Sequence, residues 1–529
     1  MTIRTANSAA DHVTSRDGNS ASRPRFPRSI EELDAILSEH NSPLAEVLSE
    51  AVAEAAKAPS RFVVFDCETS GLSAHWDQIL QFAAIRTNER FEVEYPERDI
   101  VNLSCRPRQE VVPHLLALLA TRTFPAAVVA APLSHHEMMQ QVEAFLVDSA
   151  PAVFVGHNVL GFDSEHLRHN LFASLLPPYA LHSAGNRILD TMLLARLILT
   201  LDPAALNWPH NAKGAVSFRL GDLCSANGIS LPDDEAHDAL ADTRATLALL
   251  AKMKSASPIA FAFGLALSDK RFVREILEQH PVLGLIGKWG EPKIDPIGFV
   301  AEDATNRNAV LVAKLAAENA ERMTWPGFDM ATALAGRERV ITRVKCNAMP
   351  LILPCDLDDP LLPIGRVNLR ALDHSAANDT LQFRAVPFRI DAGLHREIHQ
   401  AAANVAAARP TSDYIEERLY ADGFASEADF RACREMLKAD PADKAGFLSR
   451  IVDERLRTFA LRHVFEVAPQ TLTRSQRALT QEWLRLRLMS ETPRPWMTIA
   501  KAFEEIEGFL EVIPLVASNE ATELFPDPA

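Results

Sequence analysis

Three short stretches of the chain carry side chains that could hold a hard cation and act on a phosphate ester. The first is Phe62-Val63-Val64-Phe65-Asp66-Cys67-Glu68. It reads as a buried strand that runs into two carboxylates at i and i+2, which on a strand point to the same face. Like charges side by side at the end of an apolar strand repel each other and are costly to desolvate. A divalent cation between Asp66 and Glu68 offsets that repulsion. The second stretch, His157 to Asp163, sets Asp163 at the start of a helix after a strand-to-loop segment. The third, Ala236 to Asp242, sets His237 at or just before a helix start, with Asp242 five residues on. Converging at one end of a sheet, Asp66, Glu68, Asp163 and Asp242 would offer the oxygen donors that suit Mg²⁺ or Mn²⁺. Two such ions, roughly 3.5–4 Å apart, form the usual clamp for in-line phosphodiester displacement. A histidine beside them, with an ordinary pKa near neutrality, can take the proton of the attacking water.

The elements that must position these residues follow from periodicity. Residues 61–66 and Ile79 to Thr87 read as strands, and residues 91–107 hold one or two more. Ser134 to Asp148 reads as an amphipathic helix, and residues 150–158 as a strand entering a loop. Residues 162–176, 188–201 and 236–254 read as helices. Strands mixed with helices in this way predict an α/β domain with a mixed sheet over 61–257. Over 258–387, Pro and Gly become frequent and short β-like runs appear, which predicts a small β-rich domain. Residues 388–515 read as all helical, and 516–529 as a frayed tail. Residues 1–60 read as a disordered tail followed by two short acidic amphipathic helices, broken near Asn41-Ser42-Pro43. Those helices could pack on the body of the protein or bind a partner.

Bulk properties bound the possibilities. The chain has 529 residues, 47% of them apolar and 23% charged, so it can build several soluble cores. No stretch is long and apolar enough to span a bilayer. The N-terminus lacks the apolar run of a signal peptide, and Asp11 and Asp17 weigh against a transit peptide. Six cysteines without a C-x-x-C pair fit neither a zinc site nor a disulfide framework, and point to a reducing, cytoplasmic setting. The net charge of −16 argues against nucleic acid as a partner unless a basic groove is local.

The order D-x-E, mid-domain Asp, H-x(4)-D resembles the DEDDh family of 3′→5′ exonucleases, which have an RNase H-like fold. The stretches "QFAAIRTN", "LNWPHNAKGAVSFRLGDLCSANGI", "NRNAVLVAKLA", "KCNAMPLI" and "LYADGFASEADF" narrow the resemblance to the bacterial exonuclease I family. It covers the chain from about Arg61 to the end of the helical region. It implies an RNase H-like exonuclease domain, an SH3-like β-barrel and an all-helical C-terminal domain. It also implies a monomeric 3′→5′ exodeoxyribonuclease of DNA repair and recombination. Such an enzyme degrades single-stranded DNA to nucleoside 5′-monophosphates. The resemblance makes Asp66, Glu68, Asp163 and Asp242 ligands of two Mg²⁺ ions, with Mn²⁺ able to substitute, and His237 the general base. The implied protein partner is the acidic C-terminal tail of single-stranded DNA-binding protein. Its pocket should be basic, yet the family's basic position near Asp202 and Pro203 is not basic here. Two other readings keep the same acids or the same fold. One is a proofreading or RNA-trimming exonuclease; the other is a non-catalytic nucleic-acid-binding protein.

For several residues two readings stand. Thr69, Gly71 and Leu72 would meet the terminal nucleotide, with Leu72 as a wedge, or form a plain strand-to-loop turn. His157 and Asn158 would touch substrate or pin a loop. Arg219 would contact phosphate or form an internal salt bridge. Trp208 and Trp289 could stack on bases, although core filling is the expectation for both. Asp190 is expected to cap a helix or accept buried hydrogen bonds. Asp233, Asp234 and Asp238 suit a helix N-terminus. Cys67 should face the core, away from the acids.

Overall fold

The computed structural model describes residues 23–121, 125–182, 185–231, 238–317, 320–324, 329–334, 339–369, 372–408 and 410–520. His237, Asp233 and Asp234 lie outside the described residues.

The first sheet is mixed, as the sequence predicts. Its strands are β1 (Phe62–Thr69), β2 (Ile79–Thr87), β3 (Ile100–Ser104), β4 (Val153–Gly156) and β5 (Arg187–Asp190), in the order β3-β2-β1-β4-β5. β2 pairs antiparallel with β1 and β3, while β4 pairs parallel with β1 and β5. The run from Ile188 to Leu201 is not all helix. Residues 187–190 form β5, and the helix Thr191–Leu201 starts directly after it. A continuous apolar run does not distinguish a buried parallel strand from a buried helix.

Alternation along β1 decides where the acids go. Val63, Phe65 and Cys67 enter a core with Met138, Met139, Val142 and Leu146 of the helix His135–Ser149. Phe62 and Val64 enter a second core with Ala245, Leu249 and Met253 of the helix Ala239–Ala256. Asp66 and Glu68 continue that second face, so they emerge beside the helix that carries Asp242. Cys67 is buried on the opposite face, as expected.

The second sheet is antiparallel, in the order β10-β6-β7-β8-β9. Its strands are β6 (Leu283–Ile286), β7 (Ile294–Glu302), β8 (Ala309–Lys314), β9 (Ile341–Lys345) and β10 (Ile352–Pro354). The expected boundary at 257/258 does not divide the core. Residues 258–266 and 270–279 are helices, and one apolar cluster runs from Leu194 through Phe263 to Ile297 and Leu353. The boundary at 387/388 falls inside the helix Ala377–Ile390. The last helix, Ile499–Glu520, runs past residue 515.

The two N-terminal helices, Ile30–Glu39 and Pro43–Ala55, pack on the body. Leu33, Leu44, Val47 and Leu48 are buried in the same cluster. Ser42 Oγ and the Leu44 N–H donate to the two oxygens of buried Asp359, at 2.9 and 2.8 Å. Arg28 grips Asp202 through two nitrogens at 2.8 and 2.7 Å, so the acid at the expected basic position has its own cation.

The C-terminal helical region has a third core, into which the helix Asp163–Ala173 inserts Phe172. It also reaches the loop after β1. Trp76 Nε1 donates to Glu417 at 3.1 Å, and the Arg487 guanidinium lies 4.9 and 4.8 Å from the rings of Trp76 and Trp496. At the same interface the rings of His136 and His463 stack at 4.5 Å. Burial, helped by the neighbouring charges of His463 and Lys444, depresses His136 to about 3. Burial and Lys444 depress His463 to about 4. A histidine whose folded pKa is lowered contributes stability above its unfolded pKa of about 6.5 and loses it as pH falls toward the folded value. The contribution of this pair to the thermal midpoint is therefore expected to fall as pH drops from about 6.5 to about 4. The double variant His136→Phe/His463→Phe, which keeps the stack and removes the protons, should lose less stability than wild type over that range in a calorimetric pH series, the other buried histidines keeping their share.

Candidate active site

β1 pairs with β4 only through Val64, so its last residues run on past the end of β4. The backbone edge opened there is where the helix Asp163–Ala173 delivers Asp163, whose carboxylate accepts from the Cys67 N–H. Asp242 arrives from the other side. Asp238 caps the helix Ala239–Ala256 by accepting from the N–H groups of Leu240 and Ala241 at 3.1 Å, and Asp242 lies one turn on. Carboxylate oxygens of Asp66, Glu68 and Asp242 then lie within 4.8 Å of one another. Asp163 is not part of that triplet but sits close enough to act on Asp66 and Glu68 by charge.

The electrostatics reflect concentrated negative charge. Burial raises Asp66 well above the usual carboxylate range, and Asp163, Glu68 and Asp242 add to it. Burial, then Asp242 and Asp163, push Glu68 up to about 9. Asp163 is raised to about 7 by burial, against the pull of the Cys67 N–H. Among the described residues no lysine or arginine forms an ion pair with Asp66, Glu68 or Asp163. A compact set of oxygen donors suits a divalent metal ion.

The frame around the acids relies on neutral donors. Asp190, the last residue of β5, accepts from the backbone N–H groups of Asn158, Leu160, Met192 and Leu193 at 3.0–3.2 Å. It caps the helix Thr191–Leu201 and ties down the loop that leads to Asp163, so its expected role is the observed one. Gln81, opposite Glu68 on β2, donates to Asp238 at 2.9 Å and to Asn102 at 3.0 Å. Sequence reading passed over Gln81. A lone amide in the apolar run Ile79 to Ile85 was the available signal.

Two family models match the chain: "Exonuclease" over residues 63–250 and "Exonuclease I C-terminal domain" over residues 413–522. The chain belongs to the exonuclease I family. Exodeoxyribonuclease I of Escherichia coli K12 is 27% identical over 495 residues, covering 88% of this chain and 95% of that protein. The fold is similar to that of the moderately thermophilic exonuclease I from Methylocaldum szegediense, with a TM-score of 0.69 and 26% identity over 89% of this chain and 96% of that one. It is also similar to E. coli exonuclease I in complex with a dA16 oligonucleotide, with a TM-score of 0.71 and 24% identity over 88% of this chain and 96% of that one.

The substrate-side residues expected of an exonuclease I divide in two. Thr69 Oγ1 donates to the Gly71 carbonyl at 2.7 Å, shaping the loop after β1 from within. Gly71 is required by crowding, since a Cβ there would run into His114 and the Asp77 carboxylate. Leu72, on that rigid turn, is 86% exposed. Arg219 is exposed, and among the described residues its guanidinium forms no ion pair. His157 and Asn158 pin loops. His157 Nε2 donates to the Phe218 carbonyl at 2.7 Å and Nδ1 lies 2.9 Å from Thr191 Oγ1, so both ring nitrogens are engaged within the protein. Asn158 adopts a left-handed φ of 61°. Trp208 packs on the core as expected, whereas Trp289 does not: it is 76% exposed.

Asp190 and Asp163 should therefore behave in opposite ways on truncation. Asp190→Ala leaves four buried or half-buried N–H groups without their acceptor and should destabilise the fold by about 3 kcal/mol, while metal binding persists. Asp163→Ala should leave the metal-free fold as stable or more so and weaken metal binding. Urea titrations paired with Mn²⁺ titrations would distinguish the two.

Proposed function

We propose that this chain is a metal-dependent 3′→5′ exodeoxyribonuclease that trims single-stranded DNA to nucleoside 5′-monophosphates, in DNA repair and recombination. The observation that carries the reading is the convergence of Asp66, Glu68 and Asp242 within 4.8 Å in a family of known exonucleases. Asp66, Glu68, Asp163 and Asp242 would hold two Mg²⁺ ions, with Mn²⁺ as a substitute. When bound, such ions polarise the scissile phosphate and make water a nucleophile at neutral pH.

The remaining work falls to the protein. The open edge of β1 and the capped start of the helix Ala239–Ala256 keep the four carboxylates on one side of the scissile bond. His237, five residues before Asp242, takes the proton of the attacking water. Thr69, Gly71 and Leu72 receive the terminal nucleotide, and exposed Leu72 abuts its base. Arg219 meets a backbone phosphate. The second sheet and its flanking elements correspond to the SH3-like barrel of the resemblance, and the C-terminal helices to its helical domain. Together they would enclose one strand, exclude duplex and favour processive digestion. The tail of single-stranded DNA-binding protein is the expected partner, and one solved structure similar in fold is described as SSB/exonuclease I with an inhibitor.

The test uses single-stranded DNA labelled at either end, with a duplex control, in Mg²⁺ and in EDTA. Release of labelled mononucleotide from the 3′ end is expected at once, on single strands only and with metal only. Asp66→Ala and His237→Ala should reduce cleavage to background and by orders of magnitude respectively, with DNA still bound in both. Near-normal turnover by Asp66→Ala would defeat the mechanism, and equal activity on duplex or RNA would defeat the substrate assignment.

A further inference from the structure

An exposed tryptophan is held rigidly at the rim where the acids lie. β6 and β7 are joined by residues 287–293, Gly-Lys-Trp-Gly-Glu-Pro-Lys. The Gly287 N–H donates to the Lys293 carbonyl at 3.0 Å and closes the hairpin. Arg196, a buried side chain on the helix Thr191–Leu201, donates to the carbonyls of Gly287 and Gly290, both at 2.9 Å. Arg366 donates to the Pro292 carbonyl at 3.3 Å from the other side. The two carbonyls gripped by Arg196 flank Trp289, whose side chain nevertheless remains 76% exposed. A buried guanidinium is thus committed to fixing a turn whose apolar ring points into solvent.

The place of this ring in the fold is informative. The Arg196 guanidinium lies 4.6 Å from the Phe218 ring, and the Phe218 carbonyl accepts from His157, which directly follows β4. Lys288 lies within electrostatic reach of Asp190, the last residue of β5. The hairpin therefore stands at the same end of the parallel strands as Asp66, Glu68 and Asp163. It stands on the side of β5, a strand two spacings or about 10 Å from β1, while Leu72 stands on the β1 side. Lys288 and Lys293 flank the ring, Lys345 adds to the positive charge at Lys288, and Arg219 follows Phe218. Glu291 in the same turn offsets part of this charge, so on a chain of net charge −16 the exposed ring sits beside a locally cation-rich but mixed patch. Aromatic rings beside cations are how single strands are held without sequence preference.

We propose that Trp289 is a stacking platform for a base of the retained strand, upstream of the scissile phosphate. The proposal rests on the exonuclease reading. Only the terminal nucleotide lies beyond the scissile bond, next to Leu72, so a base reaching Trp289 belongs to the strand that stays bound.

The test compares wild type, Trp289→Ala and Trp289→Phe on a long oligothymidylate and on a dinucleotide. Binding is read by fluorescence anisotropy in Ca²⁺ and cleavage in Mg²⁺. Loss of one base stack should raise Kd and KM for the long strand by about 10- to 100-fold. The kcat at saturation should stay within about twofold, and dinucleotide cleavage should be unchanged. Phe should restore most of the affinity, and the melting temperature should not move, since the ring is exposed. Unchanged binding by Trp289→Ala in an active enzyme would overturn the stacking role and leave the exonuclease reading intact. An equal loss on the dinucleotide would also overturn it, because the defect would then lie at the acids. If wild type fails to cleave, the exonuclease reading falls, and anisotropy alone decides whether Trp289 holds DNA.

Discussion

Mutual repulsion among carboxylates at the buried end of β1 is the constraint on which the rest of the molecule depends. Asp66 and Glu68 share a face because strand periodicity is two, and Asp163 and Asp242 are brought to them from separate helices. Burial and like charge both raise their pKa values. An arginine among them would relieve the repulsion by an ion pair, but it would also fill the place of a divalent cation. Among the described residues no lysine or arginine forms an ion pair with Asp66, Glu68 or Asp163, and these acids are held in position by other means.

Those means are mostly neutral. Asp190 draws four backbone N–H groups together, Gln81 anchors the start of the helix that carries Asp242, and the Cys67 N–H holds Asp163. Hydrogen-bond dipoles fix a group in place without supplying a full charge. The cations used nearby are spent on structure at a distance: Arg196 on a hairpin, and Arg487 between Trp76 and Trp496. Through Trp76 the C-terminal helical region supports the loop that presents Leu72, although it lies more than three hundred residues away in sequence.

The same economy explains why the first and second sheets share a core. The helix Pro43–Ala55 buries Leu44, Val47 and Leu48 in the cluster that also holds Leu194, Phe263 and Leu353. Its start is locked to Asp359, and its end reaches Arg187 of β5 through Glu54 at 2.6 Å. The hairpin of Trp289 is therefore fixed relative to the acids by packing. A flexible linker between them would let that distance vary.

Much of this was legible in the sequence because it is local. Period-two alternation in β1 put Asp66 and Glu68 on one face and Cys67 on the other. Helix periodicity placed Asp242 near the start of its helix. The spacing of the acids pointed to metal-assisted phosphodiester chemistry, and the family models agree with the resemblance. What failed was decided at long range. Residues 187–190 became a strand because β4 offered them a parallel edge, which no local pattern encodes. Trp289, expected to fill the core, turned outward because Arg196 grips the backbone on either side of it, while contacts with Phe218 and Thr191 favour the loop-pinning one of the two readings of His157. The sequence by itself determined which residues could bind metal and which faces they occupy, since both depend on backbone periodicity. Only the tertiary structure decided which of them meet, which polar groups are consumed by the frame, and which aromatic ring is left for a ligand, since those depend on contacts between residues far apart in the chain.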